Sequence, residues 1–184
     1  MATVTELITA EQFESMTDID RAELIYGEIV EMSSNKSVHG FVEGKLVFEL
    51  NLYCREAKCG IVMSGDNCFV LQRDPDLVRC PDVSYVRNER IPSPFPTGFF
   101  PGPPDIAVEV VSPSDRVSDV NAKIEQWLRA GTVAVWIADP QSKTSSIHAL
   151  ENDKVVGRQV DSYAHEEWLP GFELPAIKLF ELPT

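Results

Sequence analysis

The feature that most constrains this chain is the run IAVEVV at residues 106–111, where one acid interrupts five apolar residues. A short apolar run rich in β-branched residues is typical of a strand buried in a sheet. Removing the carboxylate of Glu109 from water costs several kcal/mol unless another group pairs with it. The fold must therefore bury this strand and also supply a partner for Glu109.

The residues that follow this run predict a parallel pair of strands. A helix is predicted over Val117–Ala130, because apolar residues recur there at three- and four-residue spacing and Gly131 follows. A second apolar run, at residues 133–138, comes directly after that glycine. Strand, helix and strand with short joints are typical of a right-handed βαβ unit.

The rest of the chain predicts further strands and one long helix. Residues 9–16 predict a short helix capped by Thr9 and Gln12, and residues 22–33 predict two strands joined by a turn. Ser37–Ala57 has the apolar spacing of a long helix, which Gly60 is expected to end. Strands are predicted at residues 61–65, 68–72 and 78–87, and a loop with six prolines at residues 91–104. These elements predict a mixed α/β fold with one central sheet.

Length and charge limit the class of protein. A chain of 184 residues predicts a single domain spanning residues 1–184. Sixteen basic and twenty-nine acidic residues give a formal net charge of −13, which argues against broad, non-specific attraction to nucleic acid. A local basic groove or bound divalent cations can offset that charge. No apolar run approaches the ~20 residues of a membrane helix, so no membrane partner is expected.

The first residues and the cysteines predict the compartment. MATVTELITA has no basic segment followed by an apolar one, so no signal peptide is expected. The four cysteines lack C-x-x-C spacing. We therefore expect a cytoplasmic protein with reduced thiols, and zinc binding by the cysteines is disfavoured.

Alternation along two predicted strands places two acids together. Asp82 and Glu109 would lie on the same side of the sheet if their strands pair. Lys123, beside the apolar stripe of the following helix, would reach back over the end of the second strand. Two close carboxylates favour a cation between them, and oxygen ligands suit Mg²⁺ or Mn²⁺. A lysine beside such an ion orients or deprotonates water and stabilises charge on phosphorus, as phosphodiester hydrolysis requires.

Three stretches carry a resemblance to a known family: PDVSYV, PPDIAVEVVSPSD and KIEQWLRAGTVAVWIADP. They resemble the second Uma family of bacterial restriction endonuclease-like proteins, within the PD-(D/E)XK nuclease superfamily. The resemblance covers most of the chain, from ELIYGEIVEMS to the terminal LPGFELPAIKLF.

The resemblance implies a restriction-endonuclease-like α/β core, a mixed central β-sheet flanked by helices. Asp82 and Glu109 would be the metal-binding acids. The usual lysine would stand at position 111, which is Val111 here, so its catalytic role passes to Lys123. Glu23 and His39 also match family positions and are expected as accessory residues.

The function expected is a Mg²⁺- or Mn²⁺-dependent DNA endonuclease, with Asp82, Glu109 and Lys123 as catalytic residues. A homodimer is expected, because cutting both strands of a duplex usually needs two centres. The alternative, motivated by the net acidity, is a catalytically weak or inactive nuclease-fold module for binding or regulation.

Two further expectations concern surfaces. A structural partner protein, the third alternative, would use an apolar contact exposed in the proline-rich loop, formed by Phe95, Phe99 and Phe100. Glu43 is expected at the surface of the long helix, with a role as an extra acid of the site as the alternative.

Overall fold

A computed structural model describes residues 7–17, 21–32, 34, 36–65 and 67–183. The helices are α1 (Ala10–Glu14), α2 (Ser37–Ala57) and α3 (Val117–Ala130). The strands are β1 (Ala22–Ile25), β2 (Glu28–Glu31), β3 (Gly60–Ser64), β4 (Phe69–Gln72), β5 (Leu77–Arg79), β6 (Val83–Arg87), β7 (Phe100–Pro101), β8 (Ile106–Val110), β9 (Ala134–Asp139), β10 (Thr144–Glu151), β11 (Lys154–Gln159), β12 (Ser162–His165) and β13 (Leu169–Pro175).

The largest sheet has six strands in the order β11-β10-β9-β8-β6-β3. Its neighbours are antiparallel except β8 and β9, which are parallel and are connected by α3. This confirms the predicted parallel pair. Gly131, with a φ of +109°, ends α3 in the left-handed conformation that glycine adopts without steric cost.

The two long helices pack on opposite faces of this sheet. Alternate residues of β8, such as Val108, lie in a core with α2 residues such as Leu46. The residues between them, such as Ala107, lie in a second core with Ile124 and Trp127 of α3. Alternation along β8 therefore decides which helix each side chain meets, and Glu109 shares its face with Ala107.

A second sheet has five strands in the order β2-β1-β5-β4-β7, and β12 pairs with β13 separately. The predicted α/β fold class, with a mixed central sheet flanked by helices, is confirmed, but the second sheet was not predicted. The strand predicted at residues 78–87 is divided into β5 and β6, which belong to different sheets. Pro81 lies at the break and lacks the N–H group that a continuous ladder requires.

Local predictions for the helices and the first hairpin are largely confirmed. Thr9 caps α1 and forms the predicted capping box with Gln12, while α2 has its predicted bounds. The strands predicted at residues 22–33 are β1 and β2, although Ser33 lies outside the described residues. The end of α2 differs: Lys58 adopts the left-handed conformation there, and Gly60 begins β3. Nowhere in the described ranges is a helix both long enough and apolar enough to span a bilayer.

The cysteines depart from the expectation of four reduced thiols. Cys68 and Cys80 form a disulfide beside the pairing of β4 with β5, whereas Cys54 and Cys59 are free. Met1 to Glu6, on which the expectation of no signal peptide partly rests, lie outside the described residues.

The apolar contact expected in the proline-rich loop is wrong for two of its three residues. Phe100 is buried in β7, where its ring lies 5.2 Å from that of Phe69. Phe99 packs against Phe13 of α1, with ring centroids 5.5 Å apart. Phe95 alone of the three is exposed, at 53%. The Phe100 ring thus packs within the second sheet, and the Phe99 ring packs on α1.

Candidate active site

A cleft of about 470 Å³ opens where the ends of β6 and β8 meet α3. It is lined by every residue that was predicted for the site: Glu23, His39, Asp82, Glu109 and Lys123. Its other charged lining residues are Arg21, Glu31, Arg79, Asp115 and Asp119. Acids therefore outnumber bases in the cleft, which favours cations within it.

Glu109 faces α3, and its side chain meets two donors there. Trp127 Nε1 donates to Oε1 at 2.8 Å, and Lys123 Nζ donates to Oε2 at 3.2 Å. Burial, opposed by the charge of Lys123 and reinforced by the carboxylates of Asp82 and Glu23, raises the pKa of Glu109 to about 7. The acid that interrupts the apolar run is thus paired, and it is held near its titration point at neutral pH.

Lys123 lies between two carboxylates. Its Nζ is 3.2 Å from Glu109 Oε2 and 3.7 Å from Glu23 Oε1. Burial lowers the pKa of Lys123, but the charges of Glu109 and then Glu23 outweigh it, so the net pKa is raised. The side chain therefore stays an ammonium at neutral pH.

Glu23 reaches the cleft from β1 of the second sheet. It is 2% exposed, pairs with Arg79, and accepts a hydrogen bond from the N–H of Cys80 at 3.1 Å. Arg79 in turn donates to Gln126 of α3. This network joins the second sheet to α3 at the wall of the cleft. Lys123 therefore contacts Glu23 of the second sheet as well as Glu109 of the main sheet.

Asp82 precedes β6 and reaches the cleft beside Glu109. The pairing of Val83 with Val108 places the two acids at facing positions of neighbouring strands. Asp82 Oδ2 accepts a hydrogen bond from the N–H of Val110 at 2.7 Å. The predicted convergence of the two acids is thus present in the fold.

His39 and Glu43 of α2 approach Asp82 from the other side. His39 Nε2 lies 3.2 Å from Asp82 Oδ2, and His39 Nδ1 lies 3.8 Å from Glu43 Oε2. Burial lowers the pKa of His39, but the hydrogen bond to Asp82 and the charges of Asp82 and Glu43 raise it overall. Burial and then the charge of Asp82 raise the pKa of Glu43.

The favoured expectation for Glu43 is wrong, because its side chain is 17% exposed and turned toward this group. Each of His39, Glu43 and Asp82 offers one ligand atom, and these atoms all lie within 4.8 Å of one another. The signal in the sequence was the four-residue spacing of His39 and Glu43, which places both on one helix face. That spacing alone does not reveal that the face meets Asp82.

The two acids predicted for one ion therefore have different neighbours. Asp82 lies with His39 and Glu43, whereas Glu109 lies with Lys123 and Trp127. The N–H of Val110, next to Glu109, joins the two groups through Asp82. The cleft thus has an imidazole side and an amine side, which share one edge of the sheet.

A family model described as "Uma2: Putative restriction endonuclease" matches residues 10–177. The fold is similar to a crystal structure described as "a putative nuclease belonging to DUF820" from Anabaena variabilis, with a TM-score of 0.80 and 20% sequence identity. The match covers 94% of this chain and 97% of that one, and at this identity it shows the fold. No curated protein matches the chain.

Proposed function

The chain belongs to the Uma2 family of restriction endonuclease-like proteins, and from this premise we propose that it is a divalent-cation-dependent DNA endonuclease. The substrate class follows from the description of the family. The reaction is hydrolysis of a phosphodiester bond, with Asp82, Glu109 and Lys123 as catalytic residues and Glu23 and His39 as accessory residues.

One observation carries this proposal: two acids from adjacent strands and a protonated lysine line the same cleft. Phosphodiester hydrolysis needs a cation to neutralise the phosphate, positioned water, and positive charge where negative charge develops. The acids supply the first requirement by binding the cation, and Lys123 supplies the third.

The donor set fits a Mg²⁺ or Mn²⁺ ion. Asp82 and Glu109 offer carboxylate oxygens, which are hard ligands. Burial and then the charges of Asp82 and Glu23 raise the pKa of Glu109, and a bound cation would counter this by stabilising the ionised form. These two residues would hold the ion, whose chemistry is to polarise a phosphoryl oxygen and lower the pKa of water. Glu23 and Trp127 help to hold Lys123 and Glu109 in place, because Glu23 pairs with Lys123 and Trp127 donates to Glu109.

The charge state of Lys123 decides whether it acts as a general base or as a hydrogen-bond donor that stabilises negative charge. A general base must be able to accept a proton, whereas the raised pKa of Lys123 keeps it protonated. Lys123 therefore orients water or the phosphate by donating hydrogen bonds, and it stabilises negative charge in the transition state. Exchange of Lys123 for methionine should lower kcat while leaving cation affinity largely intact.

The test is cleavage of supercoiled plasmid and linear duplex DNA by purified protein with Mg²⁺ or Mn²⁺. Asp82→Ala and Glu109→Gln should abolish cleavage, since each removes a cation ligand. Asp161→Ala, in an exposed turn away from the cleft, is the matched control and should cleave like the wild type. Circular dichroism checks that each variant is folded. Absence of cation-dependent cleavage by the wild type across a broad DNA panel would remove the proposal.

The second candidate, a nuclease-fold binding module without catalysis, is favoured by one observation: the formal net charge of −13 opposes DNA binding. Calorimetric titration with Mg²⁺ or Mn²⁺ discriminates between the two. The nuclease requires binding that Glu109→Gln weakens, whereas no binding, or binding that this change leaves untouched, favours the module.

We also propose that the nuclease acts as a homodimer, because cutting both strands of a duplex usually needs two centres. Sedimentation velocity at micromolar concentration should show a species of twice the mass of the 184-residue chain. A monomer alone, in a preparation that linearises plasmid, would contradict this.

A further inference from the structure

We propose that His39, Glu43 and Asp82 bind a divalent transition-metal ion, of which Mn²⁺ is the probe ion, through one imidazole nitrogen and two carboxylates. This assigns a ligand set on the imidazole side of the cleft, which shares Asp82 with the Asp82 and Glu109 pair. It deepens the proposed function, on which it rests for the role of the bound ion, but the binding itself can be tested without any cleavage.

The geometry of the three side chains suits a single ion. One ligand atom from each lies within 4.8 Å of the other two. Ligands of an octahedral ion at about 2.1 Å are roughly 3.0 to 4.2 Å apart, depending on whether they are adjacent or opposite. Closing this group around an ion therefore needs only small side-chain movements. Asp82 and Glu43 are 14% and 17% exposed, so an ion can reach them from solvent.

The second observation is the unsatisfied nitrogen of His39. This side chain is 5% exposed, and its Nδ1 atom is buried without a hydrogen-bond partner among the residues that the structure describes. The 3.8 Å between Nδ1 and Glu43 Oε2 is too long for a hydrogen bond. Buried polar atoms in folded proteins are almost always paired, so this nitrogen lacks a partner that an ion would supply.

The position of the proton on the His39 ring also determines what faces its Nδ1 atom. When Nε2–H donates to Asp82 at 3.2 Å, Nδ1 carries a lone pair directed toward the carboxylate of Glu43. Two acceptors then face one another in a buried position, a conflict that either a proton on Nδ1 or a metal ion between the two atoms removes.

The ligand chemistry selects the class of ion. Imidazole nitrogen suits first-row transition metals, whereas Mg²⁺ prefers oxygen ligands and keeps several waters. Glu43 and Asp82 contribute two negative charges, which balance a divalent ion. Glu109 is outside this set because its carboxylate faces Lys123 and Trp127 rather than His39 and Glu43.

Pulsed EPR of the full chain loaded with one equivalent of Mn²⁺ tests the nitrogen ligand directly. The wild type should show modulation from a ¹⁴N nucleus bonded to Mn²⁺, and His39→Gln should lose it. The chain has three histidines, so His148→Gln and His165→Gln are the matched controls and should keep the signal. A wild-type spectrum without directly bonded ¹⁴N, or one that survives in His39→Gln, overturns the proposal.

Calorimetry supplies a second readout that does not depend on the buried histidine. Glu43→Gln should weaken Mn²⁺ binding by roughly tenfold or more, because it removes a charged ligand. Glu56→Gln, which makes the same change at an exposed position of α2, should stay within about twofold of the wild type. Thermal unfolding confirms that both variants are folded. Superimposable isotherms for Glu43→Gln and the wild type overturn the proposal.

The outcomes separate this site from the nuclease proposal. Loss of Mn²⁺ binding in Glu43→Gln, in a protein that cleaves no DNA, keeps the site and removes the nuclease function. Cleavage that depends on Asp82 and Glu109, with Mn²⁺ binding unchanged in both His39→Gln and Glu43→Gln, keeps the nuclease and removes the site.

Discussion

At the scale of single residues, Glu109 shows how an acid is accommodated within a buried strand. Its two oxygens accept hydrogen bonds from an indole and an ammonium, and both donors come from α3. Breaking a buried, charged hydrogen bond leaves one partner desolvated without compensation, which destabilises a fold more than losing an exposed contact does. Glu109 is therefore a structural residue as well as a candidate ligand.

Two buried tryptophans allow the contribution of one of these hydrogen bonds to be measured. Trp127→Phe removes the donor to Glu109, whereas Trp136 Nε1 has no hydrogen-bond partner within the described part of the chain. Each indole also packs against another aromatic ring. We expect Trp127→Phe to lower the free energy of unfolding by about 1–3 kcal/mol more than Trp136→Phe. Urea denaturation measures both, and equal losses would show that the hydrogen bond to Glu109 contributes nothing.

At the scale of elements, α3 supplies both hydrogen-bond donors to Glu109, because the helical repeat places residues four apart on the same face. Lys123 and Trp127 are four residues apart and therefore lie on one face of the helix. The parallel pairing of β8 with β9 requires a crossover helix, which lies over β8 and brings that face onto Glu109. The amine side of the cleft is thus a consequence of the βαβ unit.

The short helix α1 depends on a side chain far along the chain. A helix of five residues is not stable by itself, and the N–H of Ala10 donates to Asp76 Oδ2 at 2.7 Å. Burial alone raises the pKa of Asp76, but the hydrogen bonds from Ala10, Asp74 and Arg73 outweigh it and lower the pKa overall. The ionised form of Asp76 therefore stabilises the folded state.

This gives a prediction for the acid stability of the protein. A lowered pKa in the folded state means that the stabilisation is complete above the unfolded value of about 4 and is lost as the pH falls through the folded pKa. Asp76→Asn should lower the free energy of unfolding at pH 7 by about 2 kcal/mol, and this difference should shrink toward pH 3. Denaturant titrations at several pH values measure it.

The control for this experiment is Asp161→Asn, at an exposed aspartate immediately before β12. Its unfolding free energy should follow that of the wild type at each pH. A difference between Asp76→Asn and the wild type that stays constant from pH 7 to pH 3 would contradict the role given to the ionised Asp76.

At the scale of the whole molecule, the negative net charge of the protein opposes binding of the proposed substrate, DNA. The formal charge of −13 repels a polyanion, and most charged side chains of the cleft are acidic as well. A divalent cation held by those acids would reverse the local sign where the phosphate must lie. DNA binding should therefore depend on divalent cations more strongly than counterion screening alone explains.

Fluorescence anisotropy of a labelled duplex tests this dependence. We expect no measurable binding in EDTA and clear binding with millimolar Ca²⁺, a hard cation that takes oxygen ligands. NaCl at matched ionic strength should not substitute, since monovalent salt weakens contacts between proteins and phosphates. Asp82→Ala should lose most of the gain from Ca²⁺. Equal binding in EDTA and in Ca²⁺ would show that the cleft does not need a cation to approach DNA.

Much of the fold could be predicted because apolar residues recur at regular spacing within its helices and strands. The bounds of α2 and α3, the capping box of α1 and the parallel pairing of β8 with β9 all follow from spacing and caps. The division of residues 78–87 between two sheets could not be predicted, since both halves are apolar and strand-like. Only long-range pairing decides which sheet each half joins, and the bonding of Cys68 to Cys80 follows from the same pairing.

For the candidate site, too, some features could be predicted from the sequence and others depend on the tertiary structure. The amino-acid sequence by itself determined that Glu109 lies within an apolar strand, that Asp82 would share its side of the sheet if the two strands pair, and that Lys123 follows on a helix, because alternation and helical period are local properties. Only the tertiary structure decided that Glu43 turns inward with His39 and that Glu23 arrives from a second sheet. Contacts between elements distant in the chain depend on packing, which no local pattern encodes.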